Sequence, residues 1–145
     1  QDAVWILNVL FYYLLQGKET FFIVEEPESH LYPDAQKLIT EFIALVKNSG
    51  NQVMLTTHSP YILSVINVLF SASAASSKEA GKGIIDSTLL LTPSDVSGYF
   101  IDEDGIFKSI GDDDLQMLDG MQLDGVSHWV EEKIIQCNKV LYGNE

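Results

Sequence analysis

The chain has no arginine and only one cysteine, and both shortages exclude classes of protein. All eight basic residues are lysines, against 21 acidic residues, so the formal net charge is -13 over 145 residues. This chain is a poor candidate for binding nucleic acid by itself, because it is strongly acidic. It also has no guanidinium groups to form bidentate hydrogen bonds with phosphates or guanine edges. The single Cys137 can form no internal disulfide. We therefore expect a reducing compartment, with the cytoplasm as the default.

Long hydrophobic runs are missing as well. The most apolar stretch, Val4 to Leu15, is interrupted by Asn8 and is shorter than the roughly 20 residues that a membrane span requires. It also lacks the basic flank and the small-residue cleavage site of a signal peptide. We expect no membrane association. The hydrophobic share of 46% is typical of a folded globular domain.

The first half of the chain has the pattern of alternating helices and strands. Apolar spacing over Asp2 to Gln16 predicts a helix that is buried on several sides. Apolar runs without alternation predict strands covered on both faces, at Thr20 to Val24 and Gln52 to Thr57. Proline in a first helical turn predicts helices at Pro33 to about Lys47 and Pro60 to about Phe70. This βαβ order predicts an α/β fold with parallel strands.

Smaller elements are predicted in the second half. Ser71 to Gly83 is rich in Ser, Ala, Gly and Lys and predicts a mobile loop. Three further strands are predicted, at Thr88 to Thr92, Gly98 to Asp102 and Ile106 to Ile110. The last two are joined by an Asp-Gly turn, which is a hairpin signal.

The C-terminal segment is the most acidic part of the chain. The run Asp112 to Asp114 predicts a helical turn, and Ser127 is predicted to cap a final amphipathic helix. We divide the single domain into residues 1–70, a flexible loop at residues 71–87, and a hairpin and helix region at residues 88–145.

Polar side chains follow both predicted parallel strands. Glu25 and Glu26 close the first strand, and His58 follows the second. In α/β sheets, ligands bind outside the carboxyl ends of the strands. Because strand side chains alternate faces, the two carboxylates predict two roles, one holding a hydrated Mg²⁺ and the other orienting or deprotonating an attacking water. His58 would then contact a terminal phosphate or that water.

Two motifs carry a resemblance to a known family. The segments FFIVEEPESHLYP at residues 21–33 and LTTHSP at residues 55–60 resemble the Walker B, D-loop and H-loop region of ABC-type ATPases. Their form is similar to the OLD-like AAA ATPase branch, which is related to the RecF and SMC proteins. The resemblance covers residues 1–66. It implies a partial P-loop NTPase fold, with a mainly parallel sheet flanked by helices and a small C-terminal hairpin and helix.

The resemblance also implies a set of site residues, with ATP and Mg²⁺ as cofactors. Glu25 takes the Walker B position that holds Mg²⁺ through water, although the family's usual acid there is Asp. Glu26 takes the catalytic position that polarises the attacking water, and His58 matches the switch histidine near the γ-phosphate. The D-loop positions, which cross a head-to-tail homodimer interface at the nucleotide, are Ser29, His30 and Leu31. Tyr32 replaces the Asp that ends many D-loops.

A P-loop is absent from the 145 residues. Its pattern is G-x-x-x-x-G-K-[ST], but Gly17-Lys18 is followed by Glu19 and Gly81-Lys82 by Gly83. The resemblance therefore implies the C-terminal half of an ATPase head that begins just after the signature, with the N-terminal half as its partner. It suggests a nucleic-acid-related or phage-defence ATPase, in which any nucleic acid is bound through regions outside this chain.

Other interpretations of the same residues remain open. Glu25 or Glu26 with Asp102 and Asp104 has the layout of a Mg²⁺-dependent Toprim-like nuclease, although an Asp-Gly hairpin turn also explains the two aspartates. Glu28 and His30 could bind a transition metal if a third ligand lay nearby. The apolar first helix could instead belong to a non-catalytic self-association module.

Overall fold

The computed structural model describes residues 2–112, 114–120, 123 and 125–142. Its first half contains three helices and two strands in alternation: α1 Asp2–Gln16, β1 Phe21–Glu25, α2 Pro33–Asn48, β2 Gln52–Thr56 and α3 Pro60–Ser76. In its described residues the second half contains three short 3₁₀ turns, four very short strands and one α-helix. The strands and the helix are β3 Tyr99–Ile101, β4 Phe107–Ser109, β5 Gly111–Asp112, β6 Met117–Leu118 and α4 Gly125–Tyr142. None of the helices in the described part combines the length and the apolar character that a membrane crossing needs.

The predicted parallel pairing of the first two strands is confirmed. β1 and β2 run parallel, in a register that pairs Phe21 with Gln52 at one end and Glu25 with Thr56 at the other. In the described residues this sheet has two strands, and β3–β4 and β5–β6 are separate antiparallel pairs. The architecture is therefore mixed α/β with small sheets, and a mainly parallel sheet is not observed.

Helix α2 lies between two apolar clusters. On one side, Leu10 of α1 and Phe22 and Val24 of β1 pack with Ile39, Ile43 and Val46 of α2. On the other side, Ala44 of α2 joins a cluster built mainly from α3, with Leu91 and Leu118 from the second half. The two halves of the chain are thus held together through the α2–α3 layer.

The prediction that the strands are covered on both faces is wrong for the described residues. β1 buries Phe22 and Val24 beneath α1 and α2, whereas Phe21 is 57% and Ile23 66% exposed. Met54 of β2 is exposed on the same side. We call Phe21, Ile23 and Met54 the open face. The strand sequence shows no alternation of polar and apolar residues because the exposed residues of the open face are also apolar.

Helix α1 is also more exposed than its composition predicts. Leu10 is buried, and Ile6 and Leu14 pack partly against the same cluster. Trp5 is 73% and Leu15 70% exposed. One side of α1 contacts the rest of the chain, so the prediction of burial on several sides is wrong here.

Two predictions for the middle of the chain are corrected. Helix α3 continues through Ser76, so residues 71–76 are helical rather than a loop, as their alanines favour. The segment at Thr88 forms a 3₁₀ turn at Ser87–Leu89 instead of a strand. The side chain of Asn48 donates hydrogen bonds to the carbonyls of Thr88 and Leu90, at 2.8 Å each, which ties this segment to the end of α2.

The acidic C-terminal segment also differs from its prediction. Asp112 lies in β5 and accepts hydrogen bonds from the backbone N–H groups of Asp114 and Leu115, so it forms a turn between short strands rather than a helix. Asp113 lies outside the described residues. The final helix is confirmed, but α4 already begins at Gly125, so Ser127 lies inside it rather than at its cap. The side chain of Ser127 is not described.

The predicted hairpin is confirmed and is organised by Asp102. Its carboxylate accepts hydrogen bonds from the N–H groups of Asp104 at 3.0 Å and Ile106 at 2.9 Å, and Lys108 Nζ lies 2.8 Å from it. The ammonium group of Lys108, followed by the backbone donor of Ile106, lowers the pKa of Asp102 below its usual 3.8. These contacts close the turn between β3 and β4.

Adjacent residues of α3 allow a matched test of the core. Leu69 is 1% exposed and Val68 is 53% exposed. We expect Leu69→Ala to lower the free energy of unfolding by about 2–5 kcal/mol, because it leaves a cavity. Val68→Ala should change it by less than about 0.5 kcal/mol. Urea denaturation measures both, and equal losses would contradict this description of the core.

The lowered pKa of Asp102 predicts a pH-dependent contribution to stability. A carboxyl group whose pKa falls on folding stabilises the fold above its unfolded pKa, and the contribution disappears as pH drops through the folded pKa. Asp102→Asn should therefore lower the free energy of unfolding at neutral pH. The difference in this free energy from wild type should shrink as the pH falls below 3.8. Denaturation at neutral and acidic pH measures this difference. Glu103→Gln is the control, since Glu103 is exposed in the same turn, and a constant difference for Asp102→Asn would contradict the assignment.

Candidate functional site

The parallel pairing brings two loops to one edge of the β1–β2 sheet. After Glu25, the N–H of Glu26 still donates to the carbonyl of Thr56 at 2.9 Å, and the chain then leaves the sheet. We call residues 26–32 the first loop and residues 57–59, which follow β2, the second loop. Both loops lead directly into helices that begin with proline, at Pro33 and Pro60.

The first loop has an unusual backbone. Glu26 has φ 41° and His30 has φ 63°, in the left-handed region that non-glycine residues seldom adopt. Within this loop, Ser29 N–H donates to the carbonyl of Glu26 and Leu31 N–H to that of Glu28, each at 2.9 Å. Because Glu26 is no longer in strand conformation, the alternation that separates it from Glu25 ends here. Its carboxylate is directed to the second loop.

Glu26 and His58 contact each other across the two loops. Glu26 Oε1 lies 3.2 Å from His58 Nε2, and Glu26 Oε2 accepts a hydrogen bond from Ser29 Oγ at 3.1 Å. The His58 side chain is 84% exposed and that of Glu26 50% exposed. A pair this exposed contributes little to stability. It is, however, open to a ligand or to water on its outer side.

The side chain of Glu28 connects the first loop to the second loop by hydrogen bonds. Its Oε1 atom accepts a hydrogen bond from Thr57 Oγ1 at 2.6 Å and another from the backbone N–H of His58 at 2.8 Å. Its Oε2 atom is buried, and no group in the described part of the chain forms a hydrogen bond with it. The sequence suggested a metal-binding role for Glu28 with His30, but here the carboxylate is committed to the second loop.

Gln36 of α2 forms a second bridge between the loops. Its Nε2 donates to the carbonyl of Leu31 at 2.9 Å, and its Oε1 accepts from Ser59 Oγ. Ser59 Oγ in turn accepts from the N–H of Tyr61 at 3.1 Å and caps α3. Sequence reasoning missed Gln36, because no motif contains it and its role depends on how α2 lies between the loops.

The remaining predicted site residues have fewer contacts. Glu25 ends β1 on the side of the open face, and its exposed carboxylate has no hydrogen bond or ion pair to the described residues. His30 is exposed in the turn. Leu31 packs partly against the cluster of α1, β1 and α2. The structure thus brings Glu26, Ser29 and His58 together, with Glu25 beside them in sequence at the strand end.

The carboxylate oxygens at this edge of the sheet are ligands of the kind that Mg²⁺ prefers. Mg²⁺ in phosphate-transfer sites is held by one or two carboxylates, with water and substrate phosphates completing its shell. The unpaired carboxylate of Glu25 fits such a role. In the described part of the chain, no group of three His, Cys, Asp or Glu side chains is placed to hold a metal ion. Neither Glu28 with His30 nor Asp102 and Asp104 with the two glutamates forms such a group.

Comparisons with known proteins bear on the segment that contains both loops. Neither the curated proteins nor the solved structures give a match to this chain. Residues 2–63 match the family described as the AAA ATPase domain. This match supports an AAA-type ATPase domain in that part of the chain.

Proposed function

We propose that this chain supplies the Mg²⁺ ligand, the catalytic glutamate and the switch histidine of an ATP-hydrolysing head domain of the OLD-like branch. The observation that carries the proposal is the contact of 3.2 Å between Glu26 and His58, at the ends of two parallel strands. The family match over residues 2–63 includes both residues.

Glu26 is the group that acts on the attacking water. Its carboxylate is half exposed, so a water molecule can reach it, and a carboxylate in this position orients the water and accepts its proton. The hydroxyl of Ser29 holds Oε2, which fixes the rotamer of the carboxylate. His58 lies on the other oxygen, where its imidazole can contact the terminal phosphate. Catalysis in such sites comes mainly from positioning and charge neutralisation.

Glu25 is the metal ligand of the proposal. Its unpaired carboxylate follows the buried part of β1 and is adjacent to the catalytic glutamate. When bound, Mg²⁺ would neutralise the charge that develops on the phosphate oxygens. Glu25 reaches one methylene further than the aspartate usual at this position, so it would hold the ion differently.

The remainder of the active site comes from other segments in this proposal. A P-loop must be supplied by an N-terminal half, and Ser29, His30 and Leu31 would face a second head in a head-to-tail homodimer. The apolar open face and the exposed side of α1 support a partner segment, because contiguous apolar patches on a protein surface usually mark interaction sites. The resemblance extends the proposal to a nucleic-acid-related or phage-defence ATPase.

The same exposed side of α1 favours a second candidate, a non-catalytic self-association module. Trp5 and Leu15 are among its most exposed side chains. Such a module would show no ATP turnover that depends on Glu26, so the experiment below also separates the two functions.

Substitution of the catalytic glutamate tests the proposal directly. In the full-length protein, Glu26→Gln should lower kcat for ATP hydrolysis by about 100-fold or more, because an amide cannot accept the proton of water. ATP affinity should change little, since the amide oxygen can still accept the hydrogen bond of Ser29. Glu19→Gln is the control, because Glu19 is an exposed acid just before the other end of the same strand. Unchanged turnover in Glu26→Gln would refute the assignment.

The metal ligand is tested through the Mg²⁺ dependence of turnover. Glu25→Gln should raise the Mg²⁺ concentration needed for half-maximal activity by about 10-fold, because it removes a charged oxygen ligand. Glu25→Asp should restore most of the affinity, since it keeps the carboxylate. Titration of Mg²⁺ at saturating ATP measures both. An identical Mg²⁺ requirement in wild type and Glu25→Gln would show that Glu25 is not the ligand.

A further inference from the structure

We propose that Glu28 is a positioning residue that holds His58 beside Glu26. The inference rests on the proposed function, because it assigns how the switch histidine of that site is placed. The Glu28 side chain itself forms no hydrogen bond with the carboxylate of Glu26 or with the imidazole of His58.

Glu28 binds the second loop at two consecutive residues. A single atom, Oε1, accepts the hydroxyl of Thr57 at 2.6 Å and the backbone N–H of His58 at 2.8 Å. Hydrogen bonds to an ionised carboxylate are shorter and stronger than those between neutral groups. Thr57 Oγ1 also accepts the N–H of Ser59 at 3.0 Å, so all three residues of the second loop are fixed by one connected set of bonds.

The position of the imidazole depends on that backbone contact. The His58 side chain is 84% exposed, and among the described residues its one polar contact is with Glu26. Little packing therefore restrains the ring. The direction from which it reaches Glu26 is set by where the backbone of His58 lies, and Glu28 holds the N–H group of that backbone.

The Glu28 side chain is half-buried, and its two oxygen atoms have different surroundings. Its second oxygen, Oε2, is buried and has no hydrogen-bond partner among the residues that the structure describes. A buried acceptor without a partner costs free energy, which the two bonds at Oε1 must offset. Glu28 also accepts the N–H of Leu31 at its backbone carbonyl, so the same residue shapes the turn of the first loop. Glu28 thus links the conformations of the two loops.

A double-mutant cycle in the full-length protein tests whether Glu28 acts through His58. The variants are Glu28→Ala, His58→Ala and the two combined, and kcat for ATP hydrolysis is measured for each. Glu28→Ala should lower kcat by about 10-fold, the loss expected for hydrogen bonds to a charged group. In the His58→Ala background it should cause no further loss, because residues that act as a unit are not additive. Additive losses would overturn the proposal.

Two further variants separate positioning from general stability. Glu28→Gln keeps an acceptor oxygen for Thr57 and His58, so kcat should return to within about threefold of wild type. Asp86→Ala is the matched control, because Asp86 also accepts one backbone N–H and one threonine hydroxyl, both from Thr88, outside the two loops. It should leave kcat unchanged. A comparable loss of kcat in Asp86→Ala would overturn the specific role of Glu28.

Amide hydrogen exchange gives a readout that does not depend on activity. Glu28→Ala should accelerate exchange at the His58 N–H by about 10-fold, while the amides of Val24 and Leu55 in the paired strands keep their wild-type rates. Unchanged exchange at His58 would overturn the proposal even if kcat fell. Turnover that is independent of Glu26 would instead refute the ATPase function, and the exchange rates would still decide whether Glu28 holds His58.

Discussion

The parallel pairing of β1 with β2 is the constraint on which the rest of the structure depends. The register pairs Glu25 with Thr56, so the residues that follow each strand leave the sheet at the same edge. Glu26 and His58 are 32 positions apart in the sequence, and their contact exists because both strands end there. The two apolar clusters on either side of α2 maintain this pairing, since they bury the inner face of β1 and the buried side of α3.

Further hydrogen bonds between the two loops hold Glu26 and His58 in defined relative positions. Glu28 links the first loop to the second, and Gln36 links the first loop to the start of α3 through Ser59. Both bridges are made by side chains of ordinary surface types, and neither contacts the outer side of the Glu26–His58 pair. The chemical groups remain exposed while the backbone beneath them is held by hydrogen bonds. This division lets a solvent-facing pair keep a defined position without being buried.

The sequence predicted the βαβ order, the parallel pairing and the place where polar residues meet, because hydrophobic runs and proline positions are local signals. Glu25, Glu26 and His58 could be singled out for the same reason. The left-handed backbone of Glu26 and the roles of Glu28 and Gln36 could not be predicted, because they depend on the relative placement of separate loops.

The extent of burial also differs from the prediction. An apolar run indicates that a strand can be covered on both faces, but Phe21 and Ile23 show that composition alone does not establish what covers it. The segments at Thr88 and Asp112 differ from the predicted strand and helical turn because side chains of Asn48, Asp86 and Asp112 compete with regular pairing.

The two-stranded β1–β2 sheet has a consequence for how the chain behaves in solution. Within the described residues, each of its strands has one neighbour, so the outer edge of each presents backbone N–H and carbonyl groups without strand partners. Next to these edges lie the apolar side chains of the open face. Unpaired edges beside apolar surface are templates for the addition of further strands, whether native or foreign. This topology therefore gives the chain a tendency to associate through its strand edges. Pairing of those edges with other strands would remove it without any change in the site.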